Sequence, residues 1–224
     1  MHDLRAPITN IYNESDRLSH ALIGSEEAAA AIMSTSRLVL RIIDTNAEIS
    51  RNYSGCEDEP AASLDLSAIV RESIDVYSAV AEEKGVCLKA QLPDDPVCMK
   101  GHSAKLQRLV GNLVDNAIKF TPSGGSVRVE LSTADDGIRL SVSDTGIGIP
   151  EEEIACIYER FYRCASARTS PGTGLGLSMV HSIVEFYAGT ISCNSTPNSG
   201  TTFLIHFPRE FLVPQAIIPT TAKS

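Results

Sequence analysis

Two asparagines and two lysines share one stripe of the segment Ser103–Phe120, whose apolar residues recur at helical spacing. They are Lys105, Asn112, Asn116 and Lys119, and they lie beside the apolar stripe. A solvated helix flank is the simplest interpretation. Asparagine is a poor helix former, however, because its amide competes for backbone hydrogen bonds, so two of them one turn apart favour a ligand. Mg²⁺ with phosphate oxygens fits well, since Mg²⁺ takes oxygen ligands and keeps several waters.

The stretch SDTGIGIP carries a carboxylate and two glycines at the end of a predicted strand. Asp144 ends that strand, where its carboxylate can accept a hydrogen bond from an exocyclic amine. Gly146 and Gly148 let the backbone pass close to a flat ring or adopt a positive φ. The alternative is a glycine-rich turn that only ends a hairpin.

A second glycine-rich stretch, GTGLGLSMV, places Gly172, Gly174 and Gly176 just before a predicted helix. Successive free N–H groups and the helix dipole suit an anion such as a triphosphate. The pattern differs from the dinucleotide-binding fingerprint, because no βαβ unit begins here.

The chain begins MHDLRAPIT, which places His2 and Asp3 a few residues before Pro7. Three simple interpretations apply to these residues alone. Asp3 can cap a helix, Pro7 can lie in a first helical turn, and His2 can be a frayed terminal residue.

The composition is that of an ordinary globular protein, with 224 residues, 43% hydrophobic and 21% charged. The formal net charge of −9 argues against binding to nucleic acid or to an acidic membrane surface. No stretch approaches the roughly 18 continuous apolar residues of a membrane span, and no signal-peptide core follows the start. The six cysteines form no C-x-x-C pair and have no histidine at zinc-like spacing, which predicts reduced thiols and no structural metal site.

The segment 1–54 is predicted as a helical hairpin that dimerises. Its apolar residues recur at helical spacing, and Gly24 and Ser25 divide them into two helices. A lone hairpin cannot bury both of its apolar stripes, so we expect a second copy of the chain to cover them. The following stretch, 55–64, has turn formers and acids without periodicity and is predicted as a linker.

Residues 65–209 are predicted as an α+β domain, with an antiparallel or mixed sheet and helices on one face. The tail 210–224 is expected to be loosely held. Helices are predicted over 67–84, 103–120 and 175–187, strands over 86–92, 96–100, 190–195 and 201–208, and a hairpin over 126–144 with its turn at 135–137.

Taken in order, these segments resemble the GHKL ATPase superfamily, and most closely the catalytic domain of sensor histidine kinases. The resemblance rests on four ordered boxes: the helix with two asparagines, Asp-x-Gly-x-Gly, the aromatic and basic YERFYR, and G-T-G-L-G-L. It covers about residues 64–208 and implies an α/β sandwich of the GHKL type that binds ATP and Mg²⁺.

By this resemblance, Asp144 binds the adenine amine and Asn116 ligates Mg²⁺, while Asn112 and Lys119 reach the phosphates. The polar segment CASARTSP suits a lid that orders on nucleotide. The other implied nucleotide-binding residues come from the Asp box, the aromatic box of the lid and the second glycine-rich stretch: Gly146, Gly148, Phe161, Tyr162, Arg163, Gly172, Thr173, Gly174, Leu175 and Gly176.

The resemblance also assigns the start of the chain. In histidine kinases a dimerising hairpin precedes the ATPase domain and carries a box resembling H-[ED]-L-R-x-P, which residues 2–7 match. His2 is then the phosphoacceptor, and Asp3 holds or accepts the proton on its second ring nitrogen. Adjacent helical residues do not face each other, so this pairing rests on the resemblance alone.

Two features depart from the family. The family's first helix begins well before its histidine, whereas only Met1 precedes His2, so we expect sensor and membrane parts to be absent and dimerisation to be weak. The residue four positions after the histidine is usually Thr or Asn. Ala6 stands there in this chain, which predicts poor dephosphorylation of the partner because a methyl group cannot orient water.

The sequence therefore predicts a cytoplasmic, homodimeric histidine autokinase that uses ATP and Mg²⁺ and passes phosphate to the receiver domain of a response regulator. No nucleic-acid partner is expected, and any membrane attachment of a parent protein lies outside this chain. Two alternatives stay open. One is a GHKL ATPase in which nucleotide drives clamping, as in topoisomerases or mismatch-repair proteins. The other is a nucleotide-binding scaffold that docks a receiver domain without catalysis.

Overall fold

The computed structural model describes residues 61–167 and 173–213 of the chain. The predicted hairpin 1–54, with His2, Asp3 and Ala6, lies outside these residues, and so does Gly172. Among the residues described, no helix has both the length and the apolar character that a membrane crossing requires.

The strands and helices of the described residues lie largely where the apolar patterns predict them. The elements are β1 (Ala62–Asp65), α1 (Leu66–Lys84), β2 (Cys87–Gln91), β3 (Cys98–Gly101), α2 (Ser103–Phe120), β4 (Ser126–Ala134), β5 (Gly137–Asp144), α3 (Glu151–Ile154), α4 (Gly176–Phe186), β6 (Thr190–Thr196) and β7 (Gly200–Pro208). Short 3₁₀ turns lie at Ala165–Ala167 and Arg209–Phe211.

The main sheet is mixed, in agreement with the predicted α+β class. Its five strands run in the order β2-β4-β5-β7-β6. The edge strand β2 pairs in parallel with β4, and the other neighbours pair antiparallel. β1 and β3 form a separate antiparallel pair.

The core lies between one face of this sheet and a layer of helices, in which α2 packs against both α1 and α4. Strand residues alternate, so that Val129, Val142 and Phe203 align in register and are buried, whereas the neighbouring Leu204 is 39% exposed. The apolar stripe of α2 is buried along its length: Leu106, Leu109, Val110, Leu113, Val114, Ala117 and Ile118. Burial of that stripe turns the polar stripe of α2 toward one end of α4.

Both predicted boundaries of the α+β domain need correction. β1 begins at Ala62, inside the predicted linker 55–64, because its residues pair with β3, far away along the chain. At the other end Leu212 bridges Met99, and the Val213 N–H donates to the Cys98 carbonyl at 2.9 Å. Residues 210–213 of the predicted loose tail are therefore part of the fold.

Candidate functional site

Asp144 lies at the end of β5, the central strand of the main sheet, and one of its two oxygens is already in use. Its Oδ1 accepts hydrogen bonds from the N–H groups of Gly146 at 2.8 Å and Thr201 at 3.2 Å. No described residue donates a hydrogen bond to the second oxygen, Oδ2. Burial raises the pKa of the Asp144 carboxyl, and the two N–H donors oppose that rise. The carboxylate is thus held rigidly, with one oxygen left to accept from an amine.

The glycines after Asp144 bring the loop close to neighbouring backbone. A Cβ at Gly146 would lie 2.5 Å from the Phe120 carbonyl oxygen, which also accepts from the Ile147 N–H at 3.1 Å. Gly148 has a φ of +67°, and a Cβ there would lie 2.1 Å from the carbonyl oxygen of Thr196. Gly146 therefore fixes the loop on the end of α2, and Gly148 fixes it on β6.

The polar stripe of α2 meets the N-terminus of α4. A Cβ at Gly176, the first residue of α4, would lie 2.8 Å from Asn112 Oδ1 and 3.6 Å from Asn116 Nδ2. Asn112 Nδ2 donates to the Arg108 carbonyl at 2.8 Å, which turns Oδ1 toward α4. No described side chain caps this helix N-terminus, so its first N–H groups are open to a ligand. The Asn112 amide oxygen and the Asn116 amide group, beside a helix N-terminus, fit a Mg²⁺–phosphate ligand.

Lys119, near the end of α2, lies close to a second positive charge, the guanidinium of Arg163. Burial lowers the pKa of the Lys119 ammonium. The positive charges of Arg163 and Lys84 lower this pKa further, and the carboxylate of Asp115 opposes the change. Arg163 is held by a 2.5 Å hydrogen bond from its guanidinium to the Ala167 carbonyl. Two cations held near each other create a site that an anion such as a phosphate chain would neutralise. Lys105 lies elsewhere, with its ammonium 4.4 Å from the centre of the Phe186 ring.

Replacing Lys119 with methionine is expected to separate binding from stability. The affinity for ATP should fall about tenfold, because a charge-assisted phosphate contact is lost. The affinity for adenosine should stay the same. The melting temperature of the nucleotide-free protein should not fall, since the mutation removes a partly buried cation from beside Arg163. Calorimetry with both ligands and a thermal melt measure these quantities.

The control for this experiment is Lys89→Met, because Lys89 is an exposed lysine on β2 and the same charge is removed away from the site. Equal losses of ATP affinity in the two variants would contradict the assignment of Lys119 to the phosphates.

The aromatic box and the second glycine-rich stretch are joined by backbone contacts. The Phe161 N–H donates to the Gly174 carbonyl at 2.9 Å, and both residues have positive φ, +65° and +72°. A Cβ at Gly174 would lie 2.7 Å from the Tyr162 carbonyl oxygen, so only glycine fits there. The Tyr162 hydroxyl bonds Glu153 of α3, while Leu175 is buried just before α4. Thr173 is the first described residue after the gap at 168–172.

Thr201 is a residue of this site that the sequence patterns do not single out. It lies opposite Asp144 in the β5–β7 register, and its hydroxyl contacts Ser195 Oγ at 2.9 Å. Ser195 Oγ in turn accepts from the Ile149 N–H at 2.8 Å. Only the pairing of β5 with β7 brings these residues together, and a single sequence carries no direct signal of that register.

The chain is similar to several known proteins. Residues 101–210 match the family described as histidine kinase-, DNA gyrase B-, and HSP90-like ATPase. The chain is 31% identical over 217 residues to hybrid signal transduction histidine kinase D of Dictyostelium discoideum, covering 92% of this chain and 14% of that protein. It is 30% identical over 217 residues to the adaptive-response sensory kinase SasA of Rippkaea orientalis, covering 92% of this chain and 56% of that protein. The chain thus spans only part of these relatives.

Two solved structures extend the comparison. A mycobacterial sensor histidine kinase, MprB, is 32% identical, with a TM-score of 0.60, and the match covers 66% of this chain and 97% of that one. Histidine kinase ThkA, solved in complex with the response regulator protein TrrA, has a TM-score of 0.68 at 22% identity, and the match covers 93% of this chain and 59% of that one. The second likeness concerns the fold alone.

Proposed function

Because this chain belongs to the sensor histidine kinases and carries their catalytic core, we propose that it is an ATP-dependent autokinase of a two-component system. In this proposal the γ-phosphate of ATP passes to His2 and then to an aspartate of a response regulator. The observation that supports the proposal is that Asn112 and Asn116 meet the N-terminus of α4, in a domain whose strand β5 ends at a buried carboxylate, Asp144.

Adenine binds at Asp144. The exocyclic amine of the base donates to Oδ2, which no other described residue occupies, while Oδ1 stays bonded to Gly146 and Thr201. The phosphates extend from there toward α4, where free N–H groups, Asn112, Lys119 and Arg163 receive them. The site therefore recognises ATP through its base and neutralises the negative charge of its phosphates.

Asn116 is the proposed protein ligand of Mg²⁺. No described residue forms a hydrogen bond with its side chain, and it lies beside Gly176 at the phosphate end. Bound Mg²⁺ would neutralise charge on the phosphate oxygens during transfer. Asn116 would hold the ion through its amide oxygen, and Lys119 and Arg163 would neutralise the remaining phosphate charge.

The transfer itself needs a nucleophile from the segment 1–54. One ring nitrogen of His2 attacks the γ-phosphorus, the bond from that phosphorus to the ADP oxygen breaks, and ADP leaves. Asp3 takes or holds the proton of the other ring nitrogen. The phosphoryl group then passes from the imidazole to a carboxylate oxygen of the receiver domain, which leaves His2 neutral again.

The proposed partners are a response-regulator receiver domain and a second copy of this chain. ThkA, which has the same fold as this chain, has been solved in complex with a response regulator protein, and this supports the receiver domain as a partner. The apolar stripes of the predicted hairpin 1–54 support the second. ATP is a cytoplasmic substrate, so the proposed place of action is the cytoplasm.

Incubation with γ-labelled ATP and Mg²⁺ tests the proposal. The protein should become labelled, and the label should be acid-labile and base-stable, as expected for phosphohistidine. His2→Gln should remove all label, because position 2 then has no imidazole to accept the phosphate.

His20→Gln is the control for this test, because it removes the other histidine of the segment 1–54. Nucleotide binding without any label would favour the scaffold alternative. Label that survives His2→Gln would disprove the assignment of the phosphoacceptor.

A further inference from the structure

The ammonium of Lys84, the last residue of α1, binds the end of a different helix. Its Nζ donates to the carbonyl oxygens of Ile118 and Lys119, at 2.8 and 2.5 Å. The end of α1 itself is capped by Gly85, whose N–H donates to carbonyls of α1 at a φ of +73°. The Lys84 side chain is therefore available to cap α2.

Carbonyls in the last turn of an α-helix lack intrahelical N–H partners and carry partial negative charge. A lysine ammonium satisfies both needs, since it supplies donors and a positive charge. Here that cation comes from the neighbouring helix. Lys84 thus fixes the last turn of α2 relative to α1.

The backbone after Lys84 strengthens the same junction. The Gly85 carbonyl accepts from the Gly124 N–H at 2.8 Å, and the Cys87 N–H donates to the Gly125 carbonyl at 2.9 Å. Gly124 and Gly125 belong to the loop that follows α2. The turn after α1 and the loop after α2 are therefore held as one unit, and Lys84 supplies its side-chain bonds.

The last turn of α2 carries parts of both ends of the nucleotide site. Lys119 lies in this turn, and Asn116 lies one turn earlier. The Phe120 carbonyl, the last of the helix, accepts the Ile147 N–H at 3.1 Å and so holds the loop that follows Asp144. A shift of this turn would move the phosphate end and the adenine end together.

We propose that Lys84 is a positioning residue for nucleotide binding, which holds the last turn of α2, and through it Lys119 and the loop after Asp144, without touching the nucleotide. The inference rests on the proposed function, because it concerns the same site. Without the ammonium, the Lys119 carbonyl loses its partner, the Ile118 carbonyl keeps only the Thr121 N–H at 3.3 Å, and the turn frays. The nucleotide must then reorder the turn as it binds, which weakens the affinity.

The test compares Lys84→Met with Lys84→Arg in the full chain, by calorimetry with a non-hydrolysable ATP analogue and Mg²⁺. Lys84→Met should bind about tenfold more weakly than the parent, the effect of losing hydrogen bonds to a charged group. Lys84→Arg should recover most of that affinity, because a guanidinium can also donate to two carbonyls. Lys84→Gln keeps one donor group and replaces Lys84→Met if the latter does not fold.

The control is Asp65→Ala, which weakens α1 at its opposite end. Asp65 Oδ1 caps α1 by accepting from the Ser67 N–H at 2.8 Å, far along the helix from Lys84. Its loss should lower the melting temperature and leave the nucleotide affinity unchanged. Parent affinity in Lys84→Met would overturn the inference, and so would an equal loss of affinity in Asp65→Ala. A parent chain that binds no nucleotide would instead overturn the proposed function, and this inference with it.

Discussion

Asp144→Asn is expected to reduce the affinity for ATP about 100-fold or more. The asparagine keeps an oxygen for the N–H groups of Gly146 and Thr201, so the loop and the β5–β7 register should persist. Its amide nitrogen replaces the free oxygen and turns a donor toward the donor amine of adenine. A buried donor without a partner, added to the loss of a charged hydrogen bond, costs about 3–5 kcal/mol. Calorimetry with a non-hydrolysable ATP analogue measures the loss.

Asp136→Asn is the matched control, because Asp136 is a hairpin carboxylate that bonds Arg139 at 2.9 Å, away from the site. GTP gives a second comparison, since its base presents a carbonyl oxygen where adenine presents an amine. The ratio of ATP to GTP affinity should fall in Asp144→Asn. Affinity for ATP within about threefold of the parent would rule out Asp144 as the adenine acceptor.

The same substitution should change the pH dependence of stability. Burial raises the pKa of Asp144, so the folded state binds this proton more readily than the unfolded chain. The ionised carboxylate therefore costs stability at neutral pH, and that cost disappears as the pH falls through the raised pKa. Asp144→Asn should be more stable than the parent at pH 7, and the difference should vanish below the ordinary Asp pKa of about 3.9. Urea unfolding across this range measures it.

Gly200→Ala is expected to lower the free energy of unfolding by about 3 kcal/mol or more and to abolish nucleotide binding. Gly200 has a φ of +106°, and a Cβ there would lie 1.9 Å from the carbonyl oxygen of Asp144. Backbone surrounds this position, so the clash can be relieved only by moving β5 away from β7. That movement would displace Asp144 itself. Urea unfolding and calorimetry measure the two effects.

Gly124→Ala separates the clash from the effect of φ. Gly124 also has a positive φ, +86°, but nothing lies within 4 Å of the position of an added Cβ. It should lose only about 1 kcal/mol, the cost of a side chain in the left-handed region. Equal losses in the two variants would show that the contact with Asp144 does not matter.

Elements with strong local patterns can be predicted from the sequence. The predicted helix 103–120 has the bounds that the structure shows, because its apolar stripe and its burial coincide. The hairpin of β4 and β5 is confirmed, with strands of alternating residues joined at Asp135 and Asp136. β1 escapes prediction because it is four residues long and gains its partner from β3. The parallel pairing of β2 with β4 is also beyond prediction, because register depends on contacts far apart in sequence.

Some residues of the candidate site can likewise be predicted from the sequence, and others cannot. Side chains with a distinctive local spacing, such as Asn112 and Asn116, can be identified from the sequence alone, and the fold brings them to Gly176. Thr201 and Lys84 cannot, because they act through a backbone N–H and through backbone carbonyls of another helix. Such contacts can be made by many residue types and leave no motif. The roles of His2, Asp3 and Gly172 stay predictions, since these residues lie outside the described ranges.

Asp144 and Lys119 are expected to tolerate different substitutions during evolution, because one oxygen of Asp144 also binds backbone groups of the fold. Oδ1 accepts hydrogen bonds from the backbone N–H groups of Gly146 and Thr201. Most substitutions at Asp144 therefore leave these two donors without a partner, whether or not a ligand is bound. Burial, with Arg163 nearby, lowers the pKa of the Lys119 ammonium, so we expect the loss of this side chain not to destabilise the folded state. Selection for foldedness alone therefore limits position 144 to residues that keep this acceptor, such as aspartate and asparagine, and leaves Lys119 open to drift. A lineage released from ATP binding would vary widely at Lys119 and would exchange Asp144 mainly for asparagine.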